Sequence, residues 1–302
     1  EKPAVLRALG IVLGGTLIFL VGLADDIYTL RARYKLAAQV IAAVIVVAFG
    51  VRLELFLPFQ IFSWIATIFW IVLIVNAFNF IDNMDGLCAG VALIAALIFF
   101  FVVFPLHQTL TAAILLVLAG TLFGFLIFNF YPAKVFMGDA GAMFIGFTVA
   151  SLTVVGTFYM ADHMSPWGLF TPLLILSVPI FDTLGVIYLR WKADRPIHIG
   201  DNRHFSHRLV HLGMNRRDAV VFIYLVSFCV GLGATLLRYL GFMGAVTLFI
   251  QALGLFAIII VLMMADRRKR ISEQWNIQNE PEEKKENEAE ICSTGVKTGS
   301  SS

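Results

Sequence analysis

Six acidic residues stand inside or beside strongly apolar stretches of this chain: Asp25, Asp26, Asp82, Asp85, Asp139 and Asp182. A carboxylate in such surroundings is expensive, so its default reading is functional. The richest string is Asn76-Ala-Phe-Asn79-Phe-Ile-Asp82-Asn-Met-Asp85-Gly86-Leu87, where an amide or carboxylate recurs every third residue. These groups are hard oxygen donors, suited to Mg²⁺ or to the polar edges of a nucleotide. On an unbroken helix, three-residue spacing drifts by about 60° per step and would fan the four groups over half the circumference. Gly86 therefore predicts that the helix ends or opens here and lets them converge. The plainer alternative is polar packing between helices.

Two further strings carry acids. Gly22-Leu-Ala-Asp25-Asp26 closes an apolar segment, and adjacent helical residues point about 100° apart, so the two carboxylates should not share one role. One could approach a metal while the other takes a proton. A solvated helix end is the bland reading, weakened because an acid at a helix C-terminus opposes the macrodipole. Phe136-Met-Gly138-Asp139-Ala-Gly141 places one acid between glycines at a predicted helix N-terminus, where free backbone N–H groups favour anions. A phosphate neutralised by Mg²⁺ on Asp139 fits that pattern, and so does a capped turn. Further on, the basic stretch 190–217 holds His198, Arg203, His204, His207, Arg208 and His211, a set able to bind phosphates and a sugar. A zinc site is the rival there, but Cys88, Cys229 and Cys292 lie elsewhere and no paired His/Cys signature is present.

The elements that must position these groups are membrane helices. Of 302 residues, 60% are hydrophobic and only 14% charged, with a mean hydropathy of +0.88. A soluble domain carries roughly 45–50% apolar and about 25% charged residues. The composition excludes a disordered chain, a disulfide scaffold and an ordinary soluble enzyme. Nine apolar segments, 5–24, 36–50, 61–80, 88–105, 109–129, 140–159, 168–189, 219–238 and 242–265, approach the length that crosses about 30 Å of hydrocarbon. The reading is an all-α, polytopic integral membrane helix bundle over 1–265, followed by a disordered cytoplasmic tail over 266–302. Asn215-Arg-Arg-Asp218 reads as a capped helix start.

Fifteen lysines and arginines fall on one side of this topology. They are Arg31, Arg33, Lys35, Lys134, seven between Arg190 and Arg217, and Arg267-Arg-Lys-Arg270. The other side offers Arg52 and Arg238. The basic side is then cytoplasmic, and all six acids sit at its helix ends. Chemistry at the membrane–cytosol boundary follows more naturally than a transport path through the midplane.

These strings, in this order, resemble the polyprenyl-phosphate N-acetylhexosamine-1-phosphate transferase family. The resemblance rests on Leu23-Ala-Asp-Asp-Ile-Tyr28 with Arg33-Tyr-Lys35, on 76–87, on Val135-Phe-Met-Gly-Asp-Ala-Gly141, on Pro179-Ile-Phe-Asp182 and on His204-Phe-Ser-His-Arg208. It implies transfer of a sugar 1-phosphate, GlcNAc 1-phosphate first, from a UDP-N-acetylhexosamine to undecaprenyl phosphate. UMP is released at the cytoplasmic face of a bacterial inner membrane. It implies Mg²⁺ or Mn²⁺, with Asp139 and Asn79 as ligands. It gives catalytic roles to Asp25, Asp26, Asp82 and His207, with Asp25 the favoured group to deprotonate or orient the lipid phosphate. Substrate contacts fall to Lys35, Asn76, Asp85, Arg203, His204 and Arg208. The expected partners are those two substrates and the lipid bilayer, with no nucleic acid; a homodimer is compatible.

Two departures from the family pattern stand out. Ser206 occupies a place where the family usually has a histidine, which leaves His207 as the stronger candidate. The pattern also begins at what would be the family's third helix, so about eleven helices are expected of a complete relative. A lipid I-forming translocase is the nearest alternative, but its usual run of three histidines is missing. A CDP-alcohol phosphotransferase is rejected, because Leu-Cys-Ala-Gly follows Asp85-Gly86 and no arginine comes before Arg190. A transporter remains a distant alternative.

Overall fold

The computed structural model describes residues 3–53, 59–156, 165–192 and 204–278, and these are helical throughout with no strand. Helix α1 (Ala4–Tyr28), α2 (Ala32–Ala48) and α3 (Gln60–Ile81) come first, then α4 (Leu87–Val103), α5 (Thr109–Asn129) and α6 (Gly138–Val155). A short α7 (Thr171–Ile175) leads into α8 (Ser177–Lys192), and α9 (Phe205–His211) is a two-turn helix. Helices α10 (Arg216–Ala234) and α11 (Phe242–Gln278) complete the order.

Seven of these helices are long and apolar enough to cross a bilayer, and α7 with α8 makes an eighth if the bent pair is one span. The protein is a multi-pass membrane protein. Two of the nine expected spans take a different form. At 17 residues α2 is about 26 Å long, short of the hydrocarbon thickness. The expected 168–189 helix is broken between Ile175 and Ser177 with a 64° bend. Pro179 supplies the cause: it has no N–H for the carbonyl of Ile175, and its ring crowds that carbonyl.

Helix α4 is wrapped on most sides, packing on α5 and α10, and α6 packs on both α1 and α3. Their outer neighbours keep a lipid-like exterior, with Phe69 of α3 and Val117 and Phe123 of α5 all exposed. Helices α1 and α6 approach through small residues, as membrane helices do. A Cβ on Gly22 would lie 2.5 Å from the Cα of Ala140, inside contact distance. The expected Asn215 cap takes another form: its amide donates to the Asp218 carboxylate at 3.1 Å and caps no backbone N–H.

Residues Leu253–Ser302 form a unit separate from Glu1–Ala252. Its described part is the continuation of α11, which runs past position 265 to Gln278.

Candidate active site

Helices α1 and α3 end, and α2, α4 and α6 begin, at the same end of the bundle. The ammonium of Lys35, on the first turn of α2, is the hub. It donates to Oδ2 of Asp25 at 2.8 Å and to Oδ2 of Asp139 at 2.7 Å. Asp25 is nearly buried, and its other oxygen accepts the Leu30 backbone N–H at 2.6 Å. The second oxygen of Asp139 accepts from the Asn79 amide at 2.9 Å. Four residues from four helices thus close one polar cluster.

Asp26 faces a different way. Its carboxylate accepts the N–H groups of Asp139 at 2.7 Å and Ala140 at 3.1 Å. These are orphan donors of the first turn of α6, so Asp26 acts as the cap of a helix remote in sequence. Gly138 makes the approach feasible. Its φ is +66°, and a Cβ there would lie 2.7 Å from Asp26 Oδ2. Asp26, expected among the catalytic residues, is thus engaged by the first turn of α6.

The turn between α3 and α4 opens at Asp82 and closes at Gly86, whose φ is +77°. It is tied down on several sides. Asp85 accepts the Ala133 N–H at 3.0 Å, the buried Asn129 side chain accepts the Gly86 N–H at 3.0 Å, and the Tyr224 hydroxyl donates to the Gly86 carbonyl. Asp85 is thus spent at least partly on holding the 131–133 turn. Asp82 takes no hydrogen bond from another described residue. Burial, then the charges of Asp139, Asp26 and Asp85, push its carboxyl up to about 7. A carboxyl near neutrality can exchange protons at working pH. Both oxygens of Asp25, by contrast, are engaged.

Asn76 does not join the cluster. Its amide donates to Gln39 at 2.6 Å and to the Val72 carbonyl at 2.7 Å, one turn deeper in the bundle. Three residues of helical drift carry it past the site face, so the expected substrate contact becomes a lock between α2 and α3. Asn79 also departs from expectation: it presents its NH₂ to Asp139 and holds that carboxylate, while Asp25 supplies the second oxygen on Lys35.

The histidine segment meets the same turn from the other side. Ser206 is buried and its hydroxyl donates to Asn83. The Nδ1 of His204 lies 2.9 Å from Asp182 Oδ2, the Phe205 N–H donates to Asp182 Oδ1 at 2.7 Å, and the His204 ring meets Phe80 edge-on. Asp182 therefore orients His204 and caps α9, a role that its distance in sequence concealed. His207 lies beside His204, and burial first, then the neighbouring His204, His211 and Arg216, hold its pKa below the usual value. Arg208 lies on α9. Arg203, expected to contact substrate, and His198 lie outside the described residues.

The donor set suits a small hard cation. A positive charge already bridges two carboxylates, with a third polar group holding one of them. Among the described residues no three acids, histidines or cysteines converge on one point. Two carboxylates that a substrate's phosphates could complete are the kind of set that can hold Mg²⁺.

Comparison with known proteins now bears on this geometry. The model of glycosyl transferase family 4 matches residues 8–157, the stretch that holds Asp25, Lys35, Asn79, Asp82 and Asp139. The chain is 33% identical to the probable undecaprenyl-phosphate N-acetylglucosaminyl 1-phosphate transferase of Bacillus subtilis (strain 168), across 85% of this chain and 72% of that protein. The chain belongs to glycosyl transferase family 4. Another family 4 relative, the decaprenyl-phosphate N-acetylglucosaminephosphotransferase of Mycolicibacterium smegmatis, is 38% identical over 74% of this chain and 62% of its own length. The phospho-N-acetylmuramoyl-pentapeptide-transferase of Lactobacillus gasseri is 34% identical, but over only 52% of this chain and 50% of that one.

Proposed function

We propose that this protein transfers GlcNAc 1-phosphate from UDP-GlcNAc to undecaprenyl phosphate, at the cytoplasmic face of a bacterial inner membrane. The observation that carries the reading is the Asp25–Lys35–Asp139–Asn79 cluster at the basic end of the bundle. It is supported by the first two relatives named above, whose names are those of polyprenyl-phosphate GlcNAc phosphotransferases and which match 85% and 74% of this chain.

Phosphoryl transfer asks little covalent chemistry of a protein and much positioning and charge neutralisation. An oxygen of the lipid phosphate bonds to the phosphorus carrying the sugar. The bond from that phosphorus to the bridging oxygen breaks, and UMP leaves with the electron pair. Asp82, near neutrality, accepts a proton from the lipid phosphate. Asp139 and Asp25 are the residues that would hold Mg²⁺ or Mn²⁺, which when bound neutralises diphosphate charge. Asp26 fixes the first turn of α6 and with it Asp139. His204, held by Asp182, and His207 offer hydrogen bonds to the phosphates and sugar, beside the charge of Arg208.

The test is a panel of radiolabelled UDP-sugars offered with undecaprenyl phosphate in detergent, followed by analysis of the lipid product. UDP-GlcNAc should give a lipid-linked GlcNAc diphosphate and UMP. Product only from UDP-MurNAc-pentapeptide would transfer the assignment to the translocase branch, and no UMP from any donor would sink the enzyme reading.

A further inference from the structure

Lys35 sits where a divalent cation bridging Asp25 and Asp139 would sit. Its ammonium touches one oxygen of each carboxylate at 2.8 and 2.7 Å. A bound Mg²⁺ lies about 2.0–2.1 Å from its oxygens, so the two positions overlap, and like charges at that separation repel strongly. The cluster cannot hold both cations between the same two oxygens. We propose that Lys35 is an exchangeable internal counter-ion: it pins Asp25 to Asp139 in the metal-free protein and is displaced when a divalent cation binds.

Three features make the exchange workable. Lys35 lies on the first turn of α2, and its side chain keeps 23% of its surface exposed. It is a point charge on a flexible four-carbon stem, able to leave without moving its helix. The carboxylates are held by other means once it leaves: Asp25 by the Leu30 N–H, Asp139 by the Asn79 amide. Asp26, a further acid beside the pair, is already engaged by the N-terminus of α6. Released, the ammonium faces the mouth of the site, where an anionic substrate arrives. Metal loading then does two things together, filling the carboxylate pair and freeing a positive charge for phosphate. In the metal-free protein the same lysine spares the site the repulsion of two adjacent carboxylates.

This inference rests on the reading of Asp25 and Asp139 as the metal-holding pair, and the experiment separates the two. Mn²⁺ binding to the purified full chain, without substrates, is measured by electron paramagnetic resonance for the parent, Lys35→Gln and Asp139→Asn. Removing a competitor should tighten Mn²⁺ binding in Lys35→Gln by at least about fivefold, the lower end of ordinary site–site coupling. Its thermal midpoint in chelator should fall, and saturating Mn²⁺ should restore it. Unchanged or weaker Mn²⁺ binding in Lys35→Gln overturns the exchange and makes Lys35 a fixed part of the site. Asp139→Asn that binds Mn²⁺ as the parent does overturns the metal reading itself. Should Lys35→Gln not fold, the parent alone decides through amine labelling of Lys35 read by mass spectrometry. Labelling several-fold faster with Mn²⁺ than with chelator supports displacement, and equal or slower labelling refutes it.

Discussion

Replacing Asp26 by alanine removes both acceptors from the first turn of α6 while leaving Asp25, Lys35 and Asn79 untouched. The two lost bonds, 2.7 Å to the Asp139 N–H and 3.1 Å to the Ala140 N–H, amount to a helix cap. Losing a cap costs about 0.5–2 kcal/mol, and losing the negative charge at a helix N-terminus adds about 0.3–1 kcal/mol. A total near 2 kcal/mol corresponds to a fall of roughly 4–8 °C in thermal midpoint for a bundle of this size. Asp26→Asn keeps one acceptor oxygen and loses the charge and the second acceptor, so its midpoint should fall by less than that of Asp26→Ala. Activity should follow the same order, because a freed first turn displaces Asp139, and misplacement by about 1 Å can cost roughly 10²-fold in rate. The assay pairs differential scanning fluorimetry in detergent with UMP release on the same preparations. The expected ranking is parent, then Asn, then Ala in both readouts. If Asp26→Asn is as inactive as Asp26→Ala while its midpoint matches the parent, Asp26 acts on the reacting atoms and the capping argument fails.

Three further outcomes follow from the same geometry. Asp82 has a folded-state pKa raised from 3.8 to about 7, so its ionisation costs stability progressively between about pH 4 and 7 and fully above 7. Asp82→Asn should therefore be more stable than the parent at pH 8 and equal to it near pH 4, and it should lose the acidic limb of the rate profile centred near pH 7; a limb that survives the substitution assigns the base elsewhere. Ser206→Ala should lower stability by about 1 kcal/mol through its lost bond to Asn83, with little change in turnover, whereas His207→Ala should lower turnover at an unchanged thermal midpoint; the reverse pattern would exchange their roles. A cysteine at Arg31 should react with an impermeant thiol reagent only after the membrane is opened, and labelling from outside would invert the topology.

The chemistry-bearing strings were legible as a set because apolar helices leave little else to do with an acid. The break at Gly86, the single basic side and the separate duties of Asp25 and Asp26 all follow from period, charge and geometry. What each duty is did not follow. An acid at the end of α1 opposes the dipole of its own helix, yet Asp26 meets the favourable end of α6, a helix more than a hundred residues away in the chain. Local patterns report local fields, and the deciding field came from another element. The regular three-residue spacing likewise grouped Asn76 with Asn79, although the drift that separates them sends one to Gln39 and the other to Asp139. Asp182 and His204 stand 22 residues apart, a separation that no helical period links. The bend at Leu176 was readable in Pro179, but hydropathy averages over such a residue and returned one straight span.

The contact between Gly22 and Ala140 sets a scale for the whole site. Because backbone meets backbone there, the spacing between the Asp25–Asp26 end of α1 and the Asp139 end of α6 is fixed by main-chain thickness, not by any rotamer. Side chains can be repacked at small expense; a main-chain contact cannot be shortened, and any added carbon lengthens it. The two halves of the carboxylate cluster therefore behave as one machined part. Adjustment to substrates of different size must come from elsewhere, and α9, which meets the α3–α4 turn through the Ser206 and Asn83 side chains, is the first candidate. Donor preference across relatives of this fold is then expected to be written there, while the α1–α6 seam stays blind to what is being transferred.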